Sequence, residues 1–510
     1  MHKIWKKEKK MNIKRAKQEI KNSIEAYLHK NEYGEYMIPS IRQRPVLLMG
    51  PPGIGKTQIM EQIAKECQIG LVAYTITHHT RQSAVGLPFI KEKEYGGQTY
   101  SVTEYTMSEI IASVYNKIEQ TGMKEGILFI DEINCVSETL APTMLQFLQC
   151  KMFGNQSVPE GWIIVAAGNP PEYNKSVREF DVVTLDRIKR IDVEADYEVW
   201  KEYAYKTGIH PSILAYLEIK KDCFYRMETT IDGKAFVTAR GWEDLSQLIW
   251  VYENLDKSID REVVYQYLQH QKIAKDFANY YELYKKYRKD YGIERILKGE
   301  FHSETINRLK FAAFDEKLSV VSLLNGKLAE MFKSCFITDA YVTELFQCLK
   351  DFKSNGSMEQ TLETAKSVFE QKKKAEQLLK QEEYIRKDVI HKLETYQKMI
   401  MEEHLDSEDA FEAVREDFNK ETVRREEEID ETSRALEHAF DFMEQAFGES
   451  QEMVVFVTEL NVNYYSVQFI KENGCDKYYQ YNTGLLFEEQ QEQILEDLND
   501  IEQKIEGTLV

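Results

Sequence analysis

Gly50-Pro51-Pro52-Gly53-Ile54-Gly55-Lys56-Thr57 stands between an apolar stretch, Val46-Leu47-Leu48-Met49, and a helical one that opens at Gln58. Strand, glycine-rich loop ending in Gly-Lys-Thr, and helix are the three parts of a phosphate-binding loop. The glycines let successive backbone N–H groups curl around a β-phosphate where a side chain would collide. Lys56 can reach the β- and γ-phosphates, the Thr57 hydroxyl can ligate Mg²⁺, and the helix N-terminus at Gln58 adds its dipole. Residues 50–58 are therefore the candidate nucleotide site, and a P-loop α/β fold with a parallel sheet is expected around them.

Working outward, Ile13, Ala16, Ile20, Ile24 and Tyr27 fall at helical spacing, which predicts an amphipathic helix before the loop. Leu71 to Ile76 reads as a second buried strand. A third, Ile127-Leu128-Phe129-Ile130, runs straight into Asp131-Glu132, 75 residues after Lys56. A buried parallel strand would deliver Asp131 to a Mg²⁺ ion beside Thr57, and Glu132 could polarise an attacking water. A fourth, Trp162 to Ala167, ends at Gly168-Asn169-Pro170. Asn169 then sits on the ligand-facing edge of an open sheet, where its amide could bond a γ-phosphate or the lytic water. The plainer alternative is a turn asparagine before proline.

Composition sets the outer limits. A chain of 510 residues is too long for one core. Its net charge of −20 argues against nucleic acid as the default partner. Residues 401–450 hold 18 Asp and Glu against 5 Lys and Arg. The first stretch is Lys-rich without an apolar segment behind it, so export is not expected. Met11 is an alternative start to Met1. No apolar run is long enough for a membrane span. Seven cysteines without a C-x-x-C pair read as reduced thiols of a cytoplasmic protein. All ten prolines lie at or before Pro211, so the rest is expected to be mostly helix.

Together the stretches GPPGIGKT (50–57), ILFIDEIN (127–134), AAGNPPEYN (166–174), VREFDVVTLDRIKRI (177–191) and TARGWEDLS (238–246) resemble the AAA+ ATPases, and among them the MoxR-like branch. The resemblance spans about half the chain. It implies ATP and Mg²⁺ as ligands, with Gly50, Pro51, Pro52, Gly53, Ile54, Gly55, Lys56, Thr57, Gln58 and Asp131 binding the nucleotide, and Thr57 and Asp131 the metal. It implies Glu132 as the catalytic base and Asn169 as the first sensor. Arg187 would be the arginine finger reaching a neighbouring subunit, and Arg240 the second sensor on a lid. Ala239 and Ile188 stand where the family more often has Pro and Phe. Arg178, Lys189 and Arg190 compete with Arg187 for the finger role.

The implied organisation is an N-terminal helix (1–30), an αβα core (31–196), an all-α lid (197–295), a helical arm (296–450) and a small C-terminal unit (451–510). Two segments read as working loops: residues 77–100, a loop leading into a β-hairpin that turns at Glu94-Tyr95-Gly96-Gly97, and a second hairpin at 151–156; simple surface hairpins are the alternative. The adjacent His78 and His79 have no companions at ligand spacing, which speaks against a metal there. Tyr267, Phe277, Tyr281 and Tyr284 suggest helix packing before nucleic-acid stacking. Asn355-Gly356-Ser357 reads as a linker, and Met453 to Val457 and Tyr478-Tyr479 as a return to β structure. The expected function is a ring-forming ATPase, a hexamer, that remodels a protein client, with a von Willebrand factor A-type protein as the partner the resemblance implies. The alternative is a nucleic-acid motor of the restriction-translocase type.

Overall fold

The computed structural model describes residues 10–78, 80–173, 180–230, 233–375 and 377–483. They divide into two compact units: residues up to 199 with 238–240 and 366–383, and the remainder.

The first unit is built on β1 (Val46–Met49), β2 (Gly70–Thr75), β3 (Pro88–Tyr95), β4 (Gln98–Tyr105), β5 (Gly126–Asp131), β6 (Met152–Phe153), β7 (Gln156–Ser157), β8 (Trp162–Gly168) and β9 (Lys189–Asp192). Five of these form one parallel sheet in the order β2-β5-β8-β1-β9, with Leu47 opposite Ala166 and Leu128 opposite Ile164. Ile127 and Phe129 face one side of the sheet, Leu128 and Ile130 the other, and all four are fully buried. A strand covered on both faces needs the continuous apolar run that the sequence has there. Helices Ile13–Leu28, Lys56–Cys67, Glu109–Thr121 and Ala141–Cys150 belong to the same unit. Because β1 lies between β8 and β9, the loop after β1 sits at the point where strand order reverses. Open α/β sheets bind ligands at that crevice, beside the carboxyl ends of the strands.

Two hairpins leave the sheet. β3 pairs with β4 from Pro88↔Tyr105 to Tyr95↔Gln98, across a Gly96-Gly97 turn. β6 pairs with β7. The first has its turn where the sequence placed it, and the lead-in read as a loop holds a helical turn at residues 76–78 and a short helix, Arg81–Val85. His79 lies outside the described residues.

The second unit is helical, apart from β10 (Arg226–Thr230) and β11 (Gly233–Val237), an antiparallel hairpin inside the stretch read as an all-α lid. The cue was Met-Glu-Thr-Thr-Ile before Asp-Gly, a β-prone run meeting a turn pair. Phe277, Tyr281, Tyr284 and Tyr291 of helix Gln271–Tyr291 are buried, so its aromatics are packing residues. Helix Phe314–Asn355 ends at Gly356, whose φ of +68° and N–H bond to Phe352 O make a tight cap. The expected linker is thus a turn into helix Met358–Lys374. The expected strand at 453–457 is also corrected: Gln451–Val462 is helical. Met453, Phe456, Val457 and Leu460 make an i, i+3, i+4, i+7 stripe that packs with Leu324, Phe332 and Phe440 in one core. That burial outweighs the β preference of three valines. Residues 476–483, including Tyr478 and Tyr479, are helical as well.

Candidate nucleotide site

The site gathers at the carboxyl edge of the sheet. Gly53 has a φ of +72°, and a Cβ there would meet Thr238 Cβ and Oγ1 at 3.0 Å. Only glycine suits both the backbone angle and that approach. The Arg240 N–H donates to Gly53 O at 3.3 Å, so the first turn of helix Ala239–Asn254 is tied to the P-loop.

Lys56 opens helix Lys56–Cys67 and is 8% exposed. Its ammonium donates to Gly50 O, Pro51 O and Asn169 Oδ1, each at 2.8 Å. Burial pushes its pKa down to about 8; the charges of Asp131 and Glu132 oppose that shift and Arg240 adds to it. Charged amines lose hydration when buried, and neutral acceptors recover only part of it.

The Thr57 hydroxyl donates to Asp131 Oδ2 at 3.0 Å. Neighbouring vertices of a Mg²⁺ octahedron with bonds of 2.0–2.1 Å lie about 2.9 Å apart. The pair therefore fits two adjacent Mg²⁺ positions, leaving the rest to water and phosphate. Among the described residues there is no cluster of three or more His, Cys, Asp or Glu that could hold a metal ion. Asp131 Oδ1 accepts the Glu132 N–H at 2.9 Å. Glu132 takes the left-handed conformation, φ +57° and ψ +33°, uncommon for a residue with a Cβ. It turns the chain sharply off the strand end, directly beside Asp131.

Asn169 follows β8. Besides receiving the Lys56 bond, its backbone N–H donates to Asn134 Oδ1 at 3.2 Å and its C=O accepts from Asn134 Nδ2 at 2.8 Å. Asn134 is 2% exposed. Sequence reading passed over it. The available signal was an amide two residues beyond a carboxylate pair, on a loop too close to the sheet to be solvated.

Arg187 caps the short helix Val182–Asp186 and is exposed. Its Nη1 donates to Gln149 Oε1 at 2.5 Å. The competing cations are differently held. Lys189 Nζ donates to Ser23 Oγ at 2.7 Å, and Arg190 is paired with Asp192 at 2.8 Å. Arg178 lies outside the described residues. The structure thus brings residues 50–57, Asp131, Glu132, Asn169 and the start of the Arg240 helix together, and leaves Arg187 apart on the surface.

Residues 46–188 match the family model of the ATPase family associated with various cellular activities (AAA). This stretch is similar to the AAA domains. The match covers about a quarter of the chain and runs from β1 through Ile188, taking in the P-loop, Asp131, Glu132, Asn169 and Arg187. No curated protein matches the sequence. Among solved structures, a Cytophaga hutchinsonii protein that carries the description "putative ATPase" matches with 18% identity and a TM-score of 0.24. That match covers 38% of this chain and 56% of the other, so the chain spans about half the length of that relative. No helix among the described residues is long and apolar enough to cross a membrane.

Proposed function

We propose that the chain is a Mg²⁺-dependent ATPase of MoxR-like type, working in the cytoplasm as a ring, expected to be a hexamer, that remodels a protein client. The observation that carries the reading is the junction of Lys56 with Asn169 and of Thr57 with Asp131, with Glu132 next in the chain.

In this reading the P-loop N–H groups and Lys56 hold the β- and γ-phosphates. Bound Mg²⁺ would neutralise charge between those phosphates. Glu132 orients the attacking water and takes its proton, while Asn169 Nδ2 donates to the same water or to a γ-phosphate oxygen. Lys56 and Arg240 counter the charge that spreads over the γ-phosphoryl oxygens. Arg187 faces a neighbour's nucleotide. Its guanidinium is held by a neutral glutamine, whereas Arg190 is already neutralised by a carboxylate. The β3–β4 hairpin exposes Phe89, Ile90, Tyr95 and Tyr100, the kind of surface that grips an unfolded or loosened segment. A von Willebrand factor A-type protein is the client class to test first.

The decisive test uses Glu132→Gln. The variant is expected to bind ATP with near-normal affinity and to hydrolyse it at least about 100-fold more slowly. Hydrolysis at the wild-type rate removes the assignment. The ATP-loaded variant, used as bait, is expected to retain protein; DNA or RNA with steep salt dependence in its place would favour a nucleic-acid motor. Mixing Glu132→Gln with Arg187→Ala subunits should restore some hydrolysis, because intact Glu132 and Arg187 then meet across an interface.

A further inference from the structure

Resting on the reading of Asn169 as the residue beside the reacting phosphate, we infer that Asn134 is a positioning residue that locks the Asn169 backbone to the turn carrying Glu132. Ladder pairing between β5 and β8 ends at Ile130↔Ala166, three residues short of Asn169. Beyond that point the Asn134 side chain takes the place of a neighbouring strand. Its Nδ2 donates to Asn169 O at 2.8 Å and its Oδ1 accepts from Asn169 N at 3.2 Å. A side-chain amide has the same donor and acceptor as a peptide group, so it can complete both bonds at once.

The fit around this contact is close. A Cβ on Gly168 would lie 2.6 Å from Asn134 Oδ1 and 2.9 Å from Met49 Sδ. Gly168 O in turn accepts the Gly50 N–H at 3.2 Å. The chain entering Asn169 is therefore held on one side by the P-loop and on the other by Asn134. Asn134 lies in the helical turn Ile133–Cys135, which closes on Glu132 through the Cys135 N–H to Glu132 O bond of 2.8 Å. One amide thus couples the two groups that must share one water, Glu132 and the Asn169 side chain. A displacement of about 1 Å at such a pair is enough to slow chemistry by orders of magnitude.

The test is a double-variant cycle on the full chain, reading kcat and KM for ATP. Asn134→Ala is expected to lower kcat by roughly 10–100-fold with KM changed less than about threefold. In an Asn169→Ala background the same change should cost little more, because the residue it positions is gone. Independent, multiplying losses would overturn the proposal. Full activity of Asn169→Ala alone would instead overturn the reading of Asn169, a distinct result. Asn134→Asp covers the case in which the alanine variant fails to fold. Ionised, its second oxygen opposes Asn169 O; protonated, it restores donor and acceptor. At pH 8, where the carboxylate is ionised, its kcat should therefore fall at least as far as expected for Asn134→Ala. A wild-type kcat for this variant would count against a hydrogen-bonding role.

Discussion

The Lys56 ammonium donates to the Asn169 side-chain carbonyl across 2.8 Å, and two P-loop carbonyls, Gly50 O and Pro51 O, take its other protons at the same distance. All three acceptors are neutral. The nearby carboxylates of Asp131 and Glu132 act on it only through space, and burial still wins, which sets its pKa at about 8.

That value makes nucleotide binding pH-dependent in a defined direction. Triphosphate oxygens favour the charged amine, so binding raises the Lys56 pKa. Well below pH 8 the amine is already protonated and binding moves almost no proton. Above it, binding takes one up, and affinity falls as pH rises toward the bound-state pKa. Uptake should grow toward one proton per site as pH rises above 8. Calorimetry with a non-hydrolysable analogue in two buffers of different ionisation enthalpy measures it. Lys56→Arg, charged at every accessible pH, should show none.

Gly168→Ala should damage the site without touching a chemical group. The added methyl would press on Asn134 Oδ1 and Met49 Sδ, both under 3 Å away. Overpacking of this kind costs about 1–3 kcal/mol. Thermal unfolding is expected to shift down accordingly, and ATP hydrolysis to fall more steeply than stability alone explains. A variant as stable and active as wild type would mean that the strand end has room to relax.

The strands and loops that frame the candidate nucleotide site were legible because their signals are local. Gly50 to Thr57 and Ile127 to Glu132 each carry their own strand and loop in consecutive residues, and buried parallel strands announce themselves by unbroken apolar runs. Asn134 was not legible, since its partner is Asn169, 35 residues away and joined only by the sheet. Met453 to Val457 misled for the opposite reason. Its valines satisfy a local β preference, while the stripe of Met453, Phe456, Val457 and Leu460 has meaning only beside Leu324 and Phe440, more than a dozen residues distant in each case.

That segment offers a direct check. In a strand, residues 454 and 456 would share a face; in helix Gln451–Val462 they do not. Val454 is 39% exposed and Phe456 fully buried. Val454→Lys is expected to change stability by less than about 0.5 kcal/mol, and Phe456→Ala to cost about 3–5 kcal/mol. Denaturant melts of both variants separate the two arrangements.

Gln149 and Arg187 give the last prediction. The bond between them, 2.5 Å long, lies at the surface, so its loss should leave unfolding within about 1 kcal/mol of wild type. Function should respond unequally. If Arg187 completes a neighbour's site, Arg187→Ala removes a transition-state cation, and hydrolysis is expected to fall at least about 100-fold with nucleotide affinity nearly unchanged. Gln149→Ala only frees the guanidinium to sample other rotamers, so a loss of a few-fold is expected. Gln149→Glu should do more harm than the alanine variant, because a carboxylate would neutralise Arg187 and hold it back from a phosphate. Steady-state hydrolysis of the three variants, measured well above the concentration at which subunits assemble, gives the order. Equal rates for Arg187→Ala and wild type would assign the finger to another residue.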